Sequence, residues 1–185
     1  AVAKSIYQKL TMSFQHDLRK GTIPGQYAPT GDLVIVLDDV YDTFNVGSLF
    51  RLAEATRAII YACGSTTSPD HKQATKSSMG TNKLVPWYGY DSIAQALSEL
   101  RSSGYQIAAL EQSPRSVYFQ SARPRSPLAL VVGNESYGVN PKVLEDVDLA
   151  MEIPMYGVNR SLNLAVAVGI VVYHIRELPN FRLTS

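Results

Sequence analysis

Three short clusters hold residues whose types and spacing suit ligand chemistry. In Asp42-Thr43-Phe44-Asn45-Val46-Gly47-Ser48-Leu49-Phe50-Arg51, Asn45 and Arg51 lie six apart. A guanidinium presents a rigid fork of donors that grips oxyanions in pairs, so Arg51 suits a phosphate. In Val132-Gly133-Asn134-Glu135-Ser136-Tyr137-Gly138 a carboxylate stands between two glycines at the end of an apolar run, where bare backbone allows close approach. The third cluster, Ile153-Pro154-Met155-Tyr156-Gly157 followed by Ser161-Leu162-Asn163, is a polar-tipped loop delivered onto an apolar stretch. Each has an ordinary reading when taken singly: a helix cap with a surface ion pair to Glu54 or Asp42, a glycine turn with a surface Glu, and a cap by Ser161 with Asn163 merely solvated. Their joint appearance at successive strand ends weighs against all three.

The elements that must position them follow from periodicity. The apolar run 33–37, ending in Asp38 and Asp39, has the pattern of a central parallel strand that stops at a functional edge. A helix is predicted over 46–56 with Asn45 as its cap, then a strand over 58–63, and a long functional loop with a short helix over 65–86. A helix over 92–103, strands over 105–110 and 128–132, a short helix over 141–147 and a strand over 149–153 complete the series. This alternation predicts an α/β fold, a mostly parallel sheet covered by helices on both faces, with ligands beyond the carboxyl ends of the strands. Those ends fall at 38–45, 110–113, 133–138 and 154–161, which implies one shared site.

Between 162 and 175 only Asn163 and His174 are strongly polar, so this segment reads as a helix covered on several sides. It is too short for a bilayer, which needs about 20 residues. One face is expected on the chain's own sheet and another on a second subunit, a homodimer through the 161–177 helix. Ile6, Leu10, Phe14 and Leu18 predict an amphipathic helix over 5–19, and Gly21, Pro24, Gly25, Pro29 and Gly31 mark a linker. The chain thus divides into a helical extension and linker, 1–31, and a main domain, 32–185.

Composition narrows the function classes. Hydrophobic residues at 45% and charged residues at 18% fit an ordinary folded domain. The single cysteine, Cys63, excludes an internal disulfide and a cysteine metal cluster, and the scattered His16, His71 and His174 lack ligand spacing, so no metal is expected. His174 and Cys63 read as core. Residues 1–20 carry Lys4, Lys9, Asp17, Arg19 and Lys20 and read as neither signal peptide nor membrane span, so a reducing, cytoplasmic setting is expected. The net charge of +1 speaks against a strongly basic nucleic-acid binder, although residues 51–125 hold nine Lys or Arg against five Asp or Glu. Dinucleotide, Walker and Gly-x-Ser-x-Gly motifs are absent, which counts against a nucleotide-binding α/β protein of other chemistry.

Read together, the three clusters resemble the SpoU/TrmH-type members of the SPOUT superfamily of RNA methyltransferases. Asn45 with Arg51 matches the first family motif, and Gly133, Glu135 and Gly138 match the second. Residues 153–157 with Ser161, Leu162 and Asn163 match the third, and Ser78-Met79-Gly80 is similar to a small-residue patch between the halves. The chain departs from the pattern at Phe44 and Arg57. The resemblance covers about residues 32–177 and implies an S-adenosylmethionine-dependent 2'-O-ribose methyltransferase of RNA, with a C-terminal deep trefoil knot and an obligate homodimer. It implies that Leu110, Gly133, Ile153 and Leu162 contact the cofactor. It also implies that Arg51, Asn45, Glu135, Ser161 and Asn163 serve catalysis, the last four by orienting ribose and loops.

A guanidinium is a poor proton acceptor, so Arg51 is expected to bind the neighbouring phosphate and stabilise the developing alkoxide. Lys72, Lys76, Lys83, Arg115, Arg123 and Arg125 are further candidate phosphate contacts. The lack of an added RNA-binding domain tilts the expected acceptor toward tRNA over rRNA. A non-catalytic RNA-binding homologue with the same fold is the alternative.

Overall fold

The computed structural model describes residues 28–183; the helix expected over 5–19 lies outside the described residues. In chain order the elements are β1 (Leu33–Asp38), α1 (Thr43–Thr56), β2 (Ile59–Cys63), α2 (Lys72–Ser77), a 3-10 turn (Thr81–Lys83), β3 (Trp87–Tyr90), α3 (Ile93–Ser102) and β4 (Gln106–Leu110). There follow β5 (Val117–Tyr118), β6 (Leu128–Val132), α4 (Pro141–Asp146), β7 (Leu149–Glu152) and α5 (Leu164–Glu177).

The strands form one seven-stranded sheet in the order β3-β2-β1-β6-β4-β7-β5, with every pairing parallel. β1 and β6 lie side by side at its centre, Leu33 opposite Leu128 and Leu37 opposite Val132, and are buried along their whole length. Burial on both faces is why they read as unbroken apolar runs rather than alternating ones. Ile35, Leu37, Leu130 and Val132 meet α1 and α5 on one face. Val34, Val36, Ala129 and Val131 meet Leu97 and Leu100 of α3 and Val143 of α4 on the other. From β1 the chain builds outward to β2 and β3, while β6, β4 and β7 build the opposite way. The loops beyond the central strands therefore diverge and leave a crevice at the carboxyl ends.

The predicted alternation is present, with differences at element ends. β3 and β5 are strands that the periodicity does not predict; both are short edges, one interrupted by Gly89 and the other two exposed residues long, too brief to show a period. α1 begins at Thr43, three residues earlier than expected, because the Asp42 carboxylate accepts from Phe44 N at 2.7 Å and caps it. Asn45 is not the cap. α5 begins at Leu164 with Asn163 as its cap, accepting from Val166 N at 3.3 Å, so Ser161 is a loop residue. The α5 helix is not covered all round within one chain: Val166, Ile170 and Tyr173, at helical spacing, are exposed.

Buried polar groups lock the ends of these elements. Arg176, near the end of α5, donates from Nε to Thr56 O at 2.8 Å and from Nη1 to both carboxylate oxygens of Asp32 at 2.9 and 2.8 Å. It joins the last turns of α1 and α5 to the residue before β1, and its charge is matched inside the protein. Among the described residues no helix is long and apolar enough to cross a membrane.

Asp38, the last residue of β1, is only 8% exposed. Burial, reinforced by the neighbouring Asp39 carboxylate, raises its pKa from 3.8 to about 6. The folded chain thus keeps a proton that the unfolded chain has released, so this carboxyl favours folding below the lower value, and the benefit is lost as pH rises to about 6. We predict that Asp38→Asn raises the urea midpoint at pH 7 and flattens its change between about pH 4 and 6. An unaltered pH profile would show that Asp38 is not the group responsible.

Candidate active site

A cavity of about 1010 Å³ opens at the carboxyl ends of β1, β4, β6 and β7, lined by the loops after each of them. Its frame starts from Glu135, in the loop after β6. The Glu135 carboxylate accepts from Asp42 N (3.1 Å) and Asn45 Nδ2 (3.1 Å) through Oε1, and from Tyr41 N (3.4 Å) through Oε2. The Oδ1 of Asn45 accepts in turn from Asn163 Nδ2 at 2.9 Å, and Asn163 Oδ1 caps α5. One directional chain of side chains, Glu135 to Asn45 to Asn163, therefore links the loop after β6, the first turn of α1 and the start of α5. The polar atoms of both asparagines are engaged, which suits them to hold loops in place.

The loop after β6 is also folded tightly on itself. Asn134 Nδ2 donates to Asp39 O at 2.8 Å, while its Oδ1 accepts from Ser136 N and Tyr137 N. Gly133 must lack a side chain, because a Cβ there would collide with Gly138 O and Val139 N. Gly138 has φ +70°, and a Cβ there would overlap the Glu111 carboxylate that accepts from Val139 N at 2.9 Å. The two glycines of the second cluster thus bring the loop against itself and against the end of β4.

All four residues expected to touch a cofactor, Leu110, Gly133, Ile153 and Leu162, line the cavity, as do Asn45, Glu135, Ser161 and Asn163. Arg51 does not. Six residues along a helix is about 240° of rotation and about 9 Å of rise from Asn45. Arg51 accordingly falls on an exposed stripe of α1 with Phe44, Ser48 and Ala55. Its side chain makes no ion pair or hydrogen bond among the described residues.

The other expected phosphate contacts lie outside the cavity wall as well. Lys72 and Lys76 are exposed on α2, which is fastened to the start of α1 by Ser77 Oγ donating to Thr43 O at 3.0 Å. Lys83 is exposed in the 3-10 turn. Arg115 donates to Glu145 O at 3.1 Å near the end of α4, and Arg123 to Ala122 O at 2.8 Å, so both have local structural partners. Arg125 is exposed. Ser78 is buried and bonds Asn82 at 2.9 Å, a structural role within the patch 78–80.

Tyr41, Asp42, Glu111, Gln112 and Tyr137 also line the cavity, within the strand ends expected to form the site but not singled out there, and Glu152 lines it from outside those stretches. Glu111 and Glu152 stand at or just beyond the ends of β4 and β7, and that position was the available signal. Four carboxylates, those of Asp42, Glu111, Glu135 and Glu152, thus wall the site, beside an apolar patch of Leu110, Ile153 and Leu162. Such a wall favours a cationic ligand group and disfavours phosphate inside.

Cys63 is buried, and burial next to Asp38 and Asp39 pushes its thiol up to about 12, so it is a core residue and no nucleophile. His174 lies edge-on to Phe119, ring centres 5.1 Å apart, and is not part of the cavity wall. Among the described residues no group of three or more His, Cys, Asp or Glu could hold a metal ion.

A parallel sheet whose strand-end loops enclose an acidic and apolar cleft, without a phosphate-binding glycine loop, defines an α/β protein with a ligand site at its carboxyl edge. The chain belongs to the SpoU rRNA Methylase family, which it matches over residues 32–173. A tRNA (guanosine(18)-2'-O)-methyltransferase of Aquifex aeolicus (strain VF5) is 34% identical over 146 residues, covering 79% of this chain and 69% of that protein. The 23S rRNA (guanosine(2553)-2'-O)-methyltransferase RlmP of Bacillus subtilis (strain 168) is 31% identical over 155 residues, 83% of this chain and 62% of its own length. The chain therefore spans about two thirds of the length of these relatives. Among solved structures, an AdoMet-bound rRNA methyltransferase from Sinorhizobium meliloti superposes with a TM-score of 0.75 at 25% identity, covering 91% of this chain and 69% of that one.

The frame makes a specific demand on Asn45, which must donate to one neighbour and accept from the other. Asn45→Asp keeps the acceptor but sets a carboxylate against Glu135. We predict a loss of about 1–3 kcal/mol in unfolding free energy by urea titration. An unchanged midpoint would mean that the frame carries no stability.

Proposed function

We propose that the protein transfers the methyl group of S-adenosylmethionine to a ribose 2'-hydroxyl of RNA. The observation that carries this reading is the cavity itself: it unites all three motif clusters at one sheet edge, with the charge and apolar character that a sulfonium nucleoside requires. The resemblance and the named activities of the relatives support it.

The cofactor fits the residues present. The apolar patch of Leu110, Ile153 and Leu162 suits an adenine ring, Gly133 lines the same cavity, and the surrounding carboxylates complement a positive sulfonium. Bound there, S-adenosylmethionine supplies an electrophilic methyl group. Glu135, Asn45 and Asn163 hold the loops that align the acceptor, and Ser161, exposed at the cavity wall, offers a hydroxyl to the ribose. Arg51 is an exposed cation on a rigid helix outside the cavity wall of its own chain, able to bind the phosphate next to the reacting ribose, while the 2'-hydroxyl proton leaves to water. Lys72, Lys76 and Lys83 extend the phosphate contacts.

The exposed stripe of Val166, Ile170 and Tyr173 supports a homodimer through α5. In the sheet β4 stands between β6 and β7, so the chain crosses the end of β4 after β6 and returns across the sheet before α5. That path supports the trefoil knot that the resemblance implies. RNA is the acceptor class, and the named relatives include enzymes of both tRNA and rRNA.

Incubation with labelled S-adenosylmethionine and total RNA, followed by nucleoside mapping, should yield 2'-O-methylated ribose and show which RNA accepts it. Arg51→Ala should lower transfer by about 10-fold or more, the scale of losing one hydrogen bond to a charged phosphate, with the cofactor still bound. Binding of both RNA and cofactor without transfer would support the non-catalytic alternative instead. For the dimer, Ile170→Glu is expected to shift the sedimentation coefficient toward that of a monomer. A wild-type protein that already sediments as a monomer would rule that assembly out.

A further inference from the structure

The cavity mouth carries two tyrosines that the mechanism above does not use. Tyr41, in the loop after β1, is 51% exposed, and Tyr137, in the loop after β6, is 88% exposed; both line the cavity. Neither phenol hydroxyl has a hydrogen-bond partner among the described residues. Their backbones, in contrast, are firmly held. Tyr41 N donates to Glu135, and Tyr41 O accepts from Thr67 Oγ1 at 2.7 Å. Tyr137 N donates to Asn134 Oδ1 at 3.1 Å.

The two loops are stitched together on both sides of Tyr41, by Asn134 to Asp39 O at 2.8 Å and by Asp42 N to Glu135 at 3.1 Å. Two large aromatic faces thus stand on a fixed base at the entrance to the site. Exposed aromatic rings on rigid backbone at the mouth of a cleft gain by covering a flat apolar partner, and little conformational entropy is lost when they do.

The charges around them narrow that partner. The carboxylates of the cleft repel phosphate, so the backbone of a polynucleotide must run outside, where Lys72, Lys76 and Arg51 are exposed. A ribose that reaches the cavity from such a backbone brings its base to the mouth, beside Tyr41 and Tyr137. Single-stranded RNA is commonly held by stacking splayed bases on aromatic side chains.

We propose that Tyr41 and Tyr137 form a stacking platform for the nucleobase of the RNA nucleotide being methylated or of its immediate neighbour. They are positioning residues for the acceptor and do not hold the cofactor, whose adenine has its own apolar patch on Leu110, Ile153 and Leu162. This rests on the methyltransferase reading given above.

The test uses the full chain, with total RNA as methyl acceptor. Stacking on one aromatic ring is worth about five-fold to about 150-fold in affinity. Tyr137→Ala and Tyr41→Ala should each raise the RNA concentration for half-maximal transfer by about tenfold, whereas S-adenosylmethionine affinity by calorimetry stays within about twofold. Tyr137→Phe and Tyr41→Phe, which keep the ring and lose only the hydroxyl, should restore the wild-type value.

An unchanged half-saturation in both alanine variants overturns the platform. A parallel loss of cofactor affinity also overturns it and assigns the rings to S-adenosylmethionine. Failure of the phenylalanine variants to restore RNA affinity overturns stacking in favour of hydrogen bonding by the phenols. The wild-type rate separately reports on the underlying function: no transfer to any RNA removes that reading and this one with it, whereas wild-type transfer unaffected by the alanine variants removes the platform alone.

Discussion

The site depends on a relay of three side chains. Glu135 gathers the start of α1 by accepting from two backbone amides and from Asn45; Asn45 passes the polarity on to Asn163; and Asn163 closes it by capping α5. Each group is used in the sense its chemistry allows, a carboxylate only as acceptor and the amides as donor on one side and acceptor on the other. The direction of the relay follows from its ends, since Glu135 can only accept and the capped Val166 N–H can only donate. Two loops and two helices, separated along the chain, are thereby fixed relative to one another at the sheet edge where the cavity lies.

Around this frame, charge is sorted by place. Carboxylates wall the cleft, while Arg51 and the lysines of α2 stand outside it on exposed helix surfaces. A polyanion that binds such a surface is attracted to the rim and kept out of the interior, so only a sugar or a base can enter from it. The same interior welcomes a cation. The separation is helical in origin: Asn45 and Arg51 share α1, yet their six-residue spacing turns one toward the cleft and the other away.

The rest of the fold makes that edge rigid. β1 and β6, buried on both faces, bring two of the cavity loops side by side. Arg176, matched to Asp32 and to the Thr56 and Phe181 carbonyls, closes the far ends of α1 and α5. The exposed row on α5 is the surface this packing leaves unfilled, and it explains why a helix so apolar in sequence is only half covered in one chain.

The sequence by itself determined the layered parallel architecture, because central strands and amphipathic helices write their burial into runs and periods. It also located the cavity, since polar clusters following apolar runs mark strand ends. It did not assign individual partners. Asn45 read as a cap, whereas the fold gives capping to Asp42 and uses Asn45 for bonds to residues 90 and 118 positions away. The partner of Glu111, which accepts from Val139 N in the space that Gly138 leaves by having no side chain, was equally unassigned. Short edges such as β5 left no period to detect, and the outward direction of Arg51 needed the true start and orientation of α1. Periodicity reports whether a residue is buried. Which group a polar atom meets is decided by hydrogen bonds between distant segments, and those exist only once the sheet has brought the strand ends together.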